Sequence, residues 1–547
     1  MKKYSLLLLL FFTKITPIPF AAQLFQDETC AQFACEHSCD CKAVSHTFFS
    51  IRPVYTINSP EYLAQNRDFY KCTDEFWSGT FQITPLGGSS SHNESIGRFF
   101  LPFCSTTLNV SEQPINTNSS TILARNFNIY TQNGTFASTV DFKPRQTYAG
   151  VGLNWQQKIY ERANGKSIWI SLSGPILHVR NRVELIETIL DDGGGPIGVN
   201  SVSVGSSSVT NDCNQDCSLN PTTALPPVGS VQQAFAQPGW CFGRVDPNQH
   251  QSKTGFGDLT FRIGYETVNR DDCHVDSFFG VVFPTGNKPE SITLFEPIVG
   301  HNHHWGIILG TTFGIEVFNG CDGDLTITNE IDFSVTELFE HTERRSFDLH
   351  NKPWSRYMQF YKNREQAEAA QAALLTNPNY ALTLHTPGID ILTQDVKIKP
   401  GFYRMFTGGF LIEYCQCLNL EVGYSFFARQ SECIHLACPF PTTIAPKAVG
   451  VGAGATSRFQ TISIQPPDGC VSPLADYENN LITEADLNLE SAAHPATITH
   501  TVYGSFAYEW KECGFPMFVA VGGSYEFPPD NVGLNRWMVW GKYGIAY

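Results

Sequence analysis

The sequence predicts an all-β fold, a transmembrane antiparallel β-barrel of about twelve strands with short turns at one end and long loops at the other. Three observations predict it. Apolar and polar residues alternate with period two in segment after segment, the connections fall into very short and very long ones, and the chain ends inside a strand on an aromatic residue.

The last strand shows the pattern most clearly. In "RWMVWGKYGIAY", Trp537, Val539, Tyr543, Ile545 and Tyr547 share one face, while Trp540, Lys542, Gly544 and Ala546 share the other. A terminal strand normally frays beyond its last core contact, so an aromatic carboxy-terminus argues for a greasy face that meets lipid.

Taken in order, the chain opens with "MKKYSLLLLLFFTKITPIPFAAQ", whose lysines, apolar run and small residues read as a secretory signal over residues 1–22. Residues 23–75 read as a cysteine-rich periplasmic extension, with Cys30, Cys35, Cys39 and Cys41 as disulfide candidates in an exported chain. The barrel is expected over 76–547. "FWSGTFQITP" sets Trp77, Phe81 and Ile83 against Thr80, Gln82 and Thr84; "YAGVGLNWQQKIY" sets Val151, Leu153 and Trp155 against Asn154, Gln156 and Lys158. Four hairpins follow, and each turn carries cysteine, Cys273, Cys321, Cys415 with Cys417, and Cys513, further disulfide candidates that could cross-link neighbouring hairpins or adjacent protomers. Strands are expected near residues 77, 149, 167, 257, 275, 305, 325, 402, 418, 502, 516 and 537, with long loops near 87–145, 180–254, 338–399 and 428–498. That split of loop lengths by end is the mark of a membrane barrel rather than a soluble sandwich.

Composition agrees with an exported β-protein. Only 16% of residues are charged and 13% are aromatic, the 17 cysteines suit an oxidising compartment, and a net charge of −16 excludes nucleic acid as a partner. No Gly-x-Ser-x-Gly elbow, His-Glu-x-x-His helix or phosphate loop is present, so neither an enzyme nor a cofactor is expected.

The tail "WGKYGIAY" resembles the carboxy-terminal β-signal of Gram-negative outer-membrane proteins, with Tyr547 in the place of the usual terminal Phe. "FGDLTFRIGYE" followed by "FFGVVFPTGNKP" is similar to segments of porin-like barrels that pass hydrophobic or aromatic compounds. The resemblance implies residence in the cell outer membrane, with lipid and the barrel-insertion machinery as partners. It also implies passive passage of small solutes; a homo-oligomer is compatible with it. No segment resembling the hatch of long-chain fatty-acid transporters stands out.

If the polar faces line the lumen, Glu266, Glu316, Glu330, Asp332, Glu413, Glu421, Glu509 and Glu526 point inward against Lys158, Arg262 and Lys542. An acidic lumen favours cations unless its charges pair across strands. Small inward residues such as Gly264, Gly280, Gly310, Gly423 and Gly522 leave room for water, for an inserted loop or for kinks. "NREQAEAAQAALLTNP" predicts a loop helix capped by Asn363, with a stripe at Ala369, Ala373 and Leu374, which either narrows the pore or lies outside it. His301, His303 and His304 in "HNHHW" are weighed as metal ligands against a solvated loop. The rival function is a structural or adhesive disulfide-rich surface protein, anchored by the barrel and acting through its loops.

Overall fold

The computed structural model describes residues 45–65, 77–92, 94–102, 105–113, 121–161, 166–198, 225–237, 239–245, 251–270, 272–320, 324–374, 376, 384–446, 473–511, 515–529 and 532–547, all within one compact unit, Asp40–Tyr547. The signal segment and Cys30, Cys35, Cys39, Cys41, Cys321 and Cys513 lie outside the described residues.

Twelve strands form a closed meander. They are β1 (Gly79–Ser91), β2 (Ala137–Glu161), β3 (Ser167–Asp191), β4 (Leu259–Arg270), β5 (Cys273–Phe283), β6 (Gly306–Gly320), β7 (Leu325–Leu338), β8 (Gly401–Tyr414), β9 (Leu418–Arg429), β10 (Thr497–Trp510), β11 (Met517–Phe527) and β12 (Asn535–Ala546). Each pairs antiparallel with the next, and β12 pairs back onto β1. Closure leaves no open edge, so backbone groups are satisfied within the wall, as a lipid environment demands. Among the described residues no helix is long and apolar enough to cross a membrane.

The outer face is the greasy one. Phe261, Ile263 and Tyr265 on β4, Leu420, Val422 and Tyr424 on β9, Val502, Phe506 and Tyr508 on β10, and Trp537, Val539 and Tyr543 on β12 are all exposed. Residues between them, such as Gln82, Asn154, Ser171, Asp332 and Lys542, are buried inside. Trp77, Tyr160, Tyr414, Trp510 and Tyr547 gather at the end with short turns, as an interfacial girdle does.

Tyr547 closes the barrel. Its backbone exchanges two hydrogen bonds with Gly79, at 2.9 and 3.0 Å, while its hydroxyl accepts one from the Trp155 indole at 2.8 Å and donates to Gln157 at 3.2 Å. Of the five residues expected as the insertion signal, Trp537, Val539, Tyr543 and Ile545 lie on the outward register of β12, and Tyr547 follows directly after its last residue. Both chain ends of the wall and the short turns share one end, the periplasmic side of such barrels.

Loop boundaries differ from expectation. β2 and β3 are 25 residues each, against 11 to 15 for the other strands, so their hairpin continues beyond the wall where loops over 87–145 and 180–254 were expected. The long connections fold together into a cap at the opposite end. Its core holds Phe99, Phe100, Phe127, Phe136, Phe142, Phe235, Trp240, Trp354 and Tyr357, and in a three-stranded sheet Thr393–Lys399 pairs with His341–Ser346 on one side and Cys433–Leu436 on the other. The loop helix runs Arg364–Leu374, and the Asn363 side chain accepts the Gln366 N–H at 3.0 Å, as an N-cap does. It buries Ala367, Ala370 and Ala373 against Tyr361, Leu384 and Tyr477, so it belongs to the cap and not to a pore constriction.

Candidate functional site

The site is the lumen, and it is occupied by the chain itself. Residues 45–65, expected in a periplasmic extension, start in the cap and run down inside the barrel. "IRPVYTINSPEYLAQ" has no period, and Pro53 and Pro60 prevent a long helix or a ladder strand. Only Pro60–Leu63 forms a helical turn. Its side chains nevertheless find partners all around the wall.

Three kinds of contact hold this plug. The first is charge: the Arg52 guanidinium lies 2.7 Å from Glu526 on β11 and 3.4 Å from the plug's own Glu61, while Arg536 on β12 meets the same Glu526 at 2.9 Å. The second is hydrogen bonding to plug backbone. The Lys542 ammonium donates to the carbonyls of Tyr62 and Ala64 at 2.8 and 2.5 Å, Thr407 donates to the Asn58 carbonyl at 2.6 Å, and the Gln65 N–H donates to Glu421 at 3.1 Å. The third is apolar: Val54, Tyr55, Ile57, Tyr62 and Leu63 pack against inward Tyr148, Trp169, Phe278, Tyr503, Met538 and Trp540. A Cβ on Gly152 would overlap the Tyr55 ring, so the bare backbone there makes room for the plug. Between Pro53–Ile57 and the wall residues Ser173, Thr260, Ile308, Ser334 and Met405 remains a cavity of about 40 Å³, enough for roughly one water.

Eight of the eleven residues expected in the lumen, Lys158, Arg262, Glu266, Glu330, Asp332, Glu421, Glu526 and Lys542, are buried there. Glu316, Glu413 and Glu509 are half-buried at the periplasmic rim, where Lys511 lies 3.4 and 3.3 Å from the last two. The acids do not face an empty pore. Glu266 accepts from Ser167 at 2.9 Å, Asp332 from Thr312 at 2.8 Å and Glu421 from Tyr503 at 2.8 Å, while His274 lies 3.4 Å from Glu330. Arg262 donates to Ser171 at 3.0 Å and to the Tyr62 hydroxyl, and it stacks over Trp169 and Phe278. Alternation did reveal inward carboxylates, but it missed Arg536, Asp276 and His274 on the same face. It also missed Arg52 altogether, because nothing periodic surrounds it.

The inward glycines leave no open space. Neighbouring side chains lie across them: Trp169 over Gly264, Arg262 over Gly280, Phe278 over Gly310, Tyr503 over Gly423 and Trp540 over Gly522. Glycine facing an aromatic ring on the next strand fills a sheet surface without a cavity.

The histidines separate rather than converge. His301 pairs with Asp258 at 2.6 Å, His303 with the Gly286 carbonyl at 3.0 Å, and His304 with Glu343 at 2.6 Å. No cluster of three metal-ligating side chains occurs among the described residues. Glu343 also takes Arg345 at 2.6 Å, and Arg345 reaches Glu432 at 3.4 Å. Burial alone would lower the His304 pKa, but the Glu343 carboxylate raises it above 6.5. Burial would raise Glu343, and Arg345 with His304 holds it below 4.5. Elsewhere in the cap burial pushes the Asp390 carboxyl up to about 8 and Glu296 to about 7.

The cysteine expectations need correction. Cys273, Cys415 and Cys417 are free thiols, whereas Cys241, Cys433 and Cys438, all in the cap region, are disulfide-bonded. A disulfide needs two Cβ atoms within about 4 Å, and the hairpin ladders fix these turn cysteines on their own tips.

No protein-family model matches this chain, and no curated protein matches its sequence. Solved structures similar to it include an outer membrane channel from Pseudomonas putida F1, at 7% identity over 87% of this chain and 97% of that one, with a TM-score of 0.36. The β domain of the Bordetella autotransporter BrkA is similar at 6% identity over 86% and 100%, TM-score 0.30. A Pseudomonas aeruginosa FadL homologue is similar at 7% over 92% and 96%, TM-score 0.28. The wall's own pairing carries the conclusion: with a closed twelve-strand meander, an apolar outer face and a polar, filled interior, this chain is an outer-membrane β-barrel protein.

Proposed function

We propose that the barrel is a gated channel for small solutes, closed in the described state by its own residues 52–65. The observation that carries this reading is the chemistry of the plug. Wall side chains alone fill barrels of about eight strands, whereas wider ones leave a lumen that a channel can use once an inserted segment is withdrawn. Here the filling is a separate segment of the chain, held by the ion pairs and hydrogen bonds of Arg52, Glu421, Glu526 and Lys542, which water can replace, as well as by apolar contacts of Val54, Tyr55, Ile57, Tyr62 and Leu63. Passage is therefore not free diffusion through a standing pore.

Cation preference belongs to the open state in this reading. Withdrawal of the plug removes Arg52 from Glu526 and the Gln65 N–H from Glu421, which leaves a wall richer in carboxylate than in base. The outward register Trp537, Val539, Tyr543, Ile545 and Tyr547 serves as the barrel-insertion signal. The chain is not an enzyme.

The test is planar-bilayer conductance of full-length protein beside Arg52→Gln and a deletion of residues 46–65, with a salt gradient. Quiet wild-type protein, frequent openings for Arg52→Gln, and stable cation-biased steps for the deletion are expected. A deletion variant that inserts, keeps its heat-dependent gel shift and still passes no current overturns the channel. One observation favours the rival adhesive reading, namely that the cap has its own aromatic core. That outcome would move the function there.

A further inference from the structure

The free thiols lie at the periplasmic turns, and one turn carries two. Tyr414, Cys415, Gln416 and Cys417 close the β8–β9 hairpin, with the Cys417 N–H donating to the Tyr414 carbonyl at 3.3 Å. Cys415 and Gln416 hold φ values of 50° and 56°, the left-handed pair of a type I′ turn. Asn-Gly suits that turn, whereas Cys-Gln does not, so turn stability alone does not account for the residues present. The two thiols also differ in access. Cys415 is exposed, while Cys417 is half-buried with its Sγ 3.9 Å from the Tyr414 carbonyl. Cap cysteines are oxidised and this pair is not. No third metal-ligating side chain joins it among the described residues.

We propose that Cys415 and Cys417 form a thiol–disulfide exchange site facing the periplasm, with a protein disulfide as the oxidising partner. The Cys415 thiolate attacks one sulfur of the partner; the Cys415–partner S–S bond forms and the partner's second sulfur leaves as a thiolate, which takes up the proton Cys415 lost. Cys417 then attacks Cys415 Sγ, closing Cys415–Cys417 and releasing the first sulfur as the second thiol. Two electrons pass from the turn to the partner, which is reduced from a disulfide to two thiols. Access assigns the order: Cys415 attacks and Cys417 resolves.

The experiment treats reduced, full-length protein in detergent with glutathione disulfide, quenches in acid and maps the turn peptide by mass spectrometry. The heat-dependent gel shift verifies that each variant is folded. Wild type is expected to gain the internal disulfide and release two glutathiones. Cys417→Ser is expected to retain glutathione on Cys415, and Cys415→Ser to slow modification of the turn by about an order of magnitude, since the accessible thiol is gone. Two results would overturn the assignment: wild type that retains glutathione as Cys417→Ser does, or Cys415→Ser that reacts at Cys417 as fast as wild type. Absence of reaction at the turn in every variant overturns it as well.

Discussion

Residues 45–65 pass through two environments that differ in how much of the holding is polar. In the cap, Phe49 enters an aromatic core beside Phe99, Phe100 and Phe295, and the backbone of His46 and Thr47 is pinned to Phe99 and Ser491. In the lumen, the same segment adds polar contacts with the wall, Arg52 with Glu526, Tyr62 with Asn154 and Gln65 with Glu421, to the apolar contacts of Val54, Tyr55, Ile57 and Leu63. Apolar packing has no substitute in water, whereas ion pairs and hydrogen bonds exchange for hydrated ones at small net cost. The difference teaches that the plug's outer end is tethered by apolar packing, while its lumen section adds polar contacts that water can replace to a smaller apolar cluster.

The largest expected effect tests the tether. Trp354 is fully buried at the cap's centre and its indole donates to the Phe100 carbonyl at 2.8 Å. Trp354→Ala should cost the cap about 3–5 kcal/mol, seen as earlier cap cleavage in limited proteolysis. The barrel's heat-dependent gel shift should be unchanged; a shift lost with the cap would show that the two regions are one cooperative unit.

The next effect breaks the lumen side. Glu526→Ala leaves Arg52 and Arg536 without their shared carboxylate, a loss of about 3 kcal/mol. Open-channel probability should rise while cap proteolysis stays at the wild-type rate. If Trp354→Ala opens the channel as readily as Glu526→Ala, the two environments are not distinct.

A smaller effect follows from pH. His304 has a raised folded pKa, so its contribution is full below its ordinary value of 6.5 and is lost as pH rises through the folded value. Glu343 has a lowered one, so its contribution is present above 4.5 and is lost as pH falls through the folded value. The pair should therefore stabilise the cap most between those limits, by about 1.5–3 kcal/mol for a charged hydrogen bond. Cap proteolysis across pH should show this optimum in wild type, and Glu343→Gln should flatten it. The smallest effect is expected at the seam: Tyr547→Phe keeps the ring, loses two hydroxyl contacts and should cost about 1 kcal/mol in urea unfolding from vesicles.

Alternation made the wall legible because most strands place apolar residues toward lipid and polar or small ones toward the lumen, with inward aromatics such as Trp169, Phe278 and Trp540 as exceptions. Gln82 against Phe81 and Lys542 against Tyr543 needed no knowledge of their neighbours. The plug was illegible for the converse reason. Arg52 lies 474 positions from Glu526 and Lys542 lies 480 from Tyr62, so no window of sequence contains both halves of either contact. The turn cysteines misled because spacing shows proximity along the chain and not the direction of a side chain.

Sequence by itself indicated about twelve strands, the orientation of their two faces, the split of short turns and long loops between ends, and a terminal aromatic on the outward register. These follow from period, turn chemistry and the demand that lipid places on backbone polar groups. Tertiary structure alone decided that the lumen is filled, that its carboxylates have partners, that the helix at Arg364–Leu374 belongs to the cap, and which cysteines are free. Those outcomes depend on closing long loops of chain around one another, and the energy that selects among them comes from contacts between residues hundreds of positions apart.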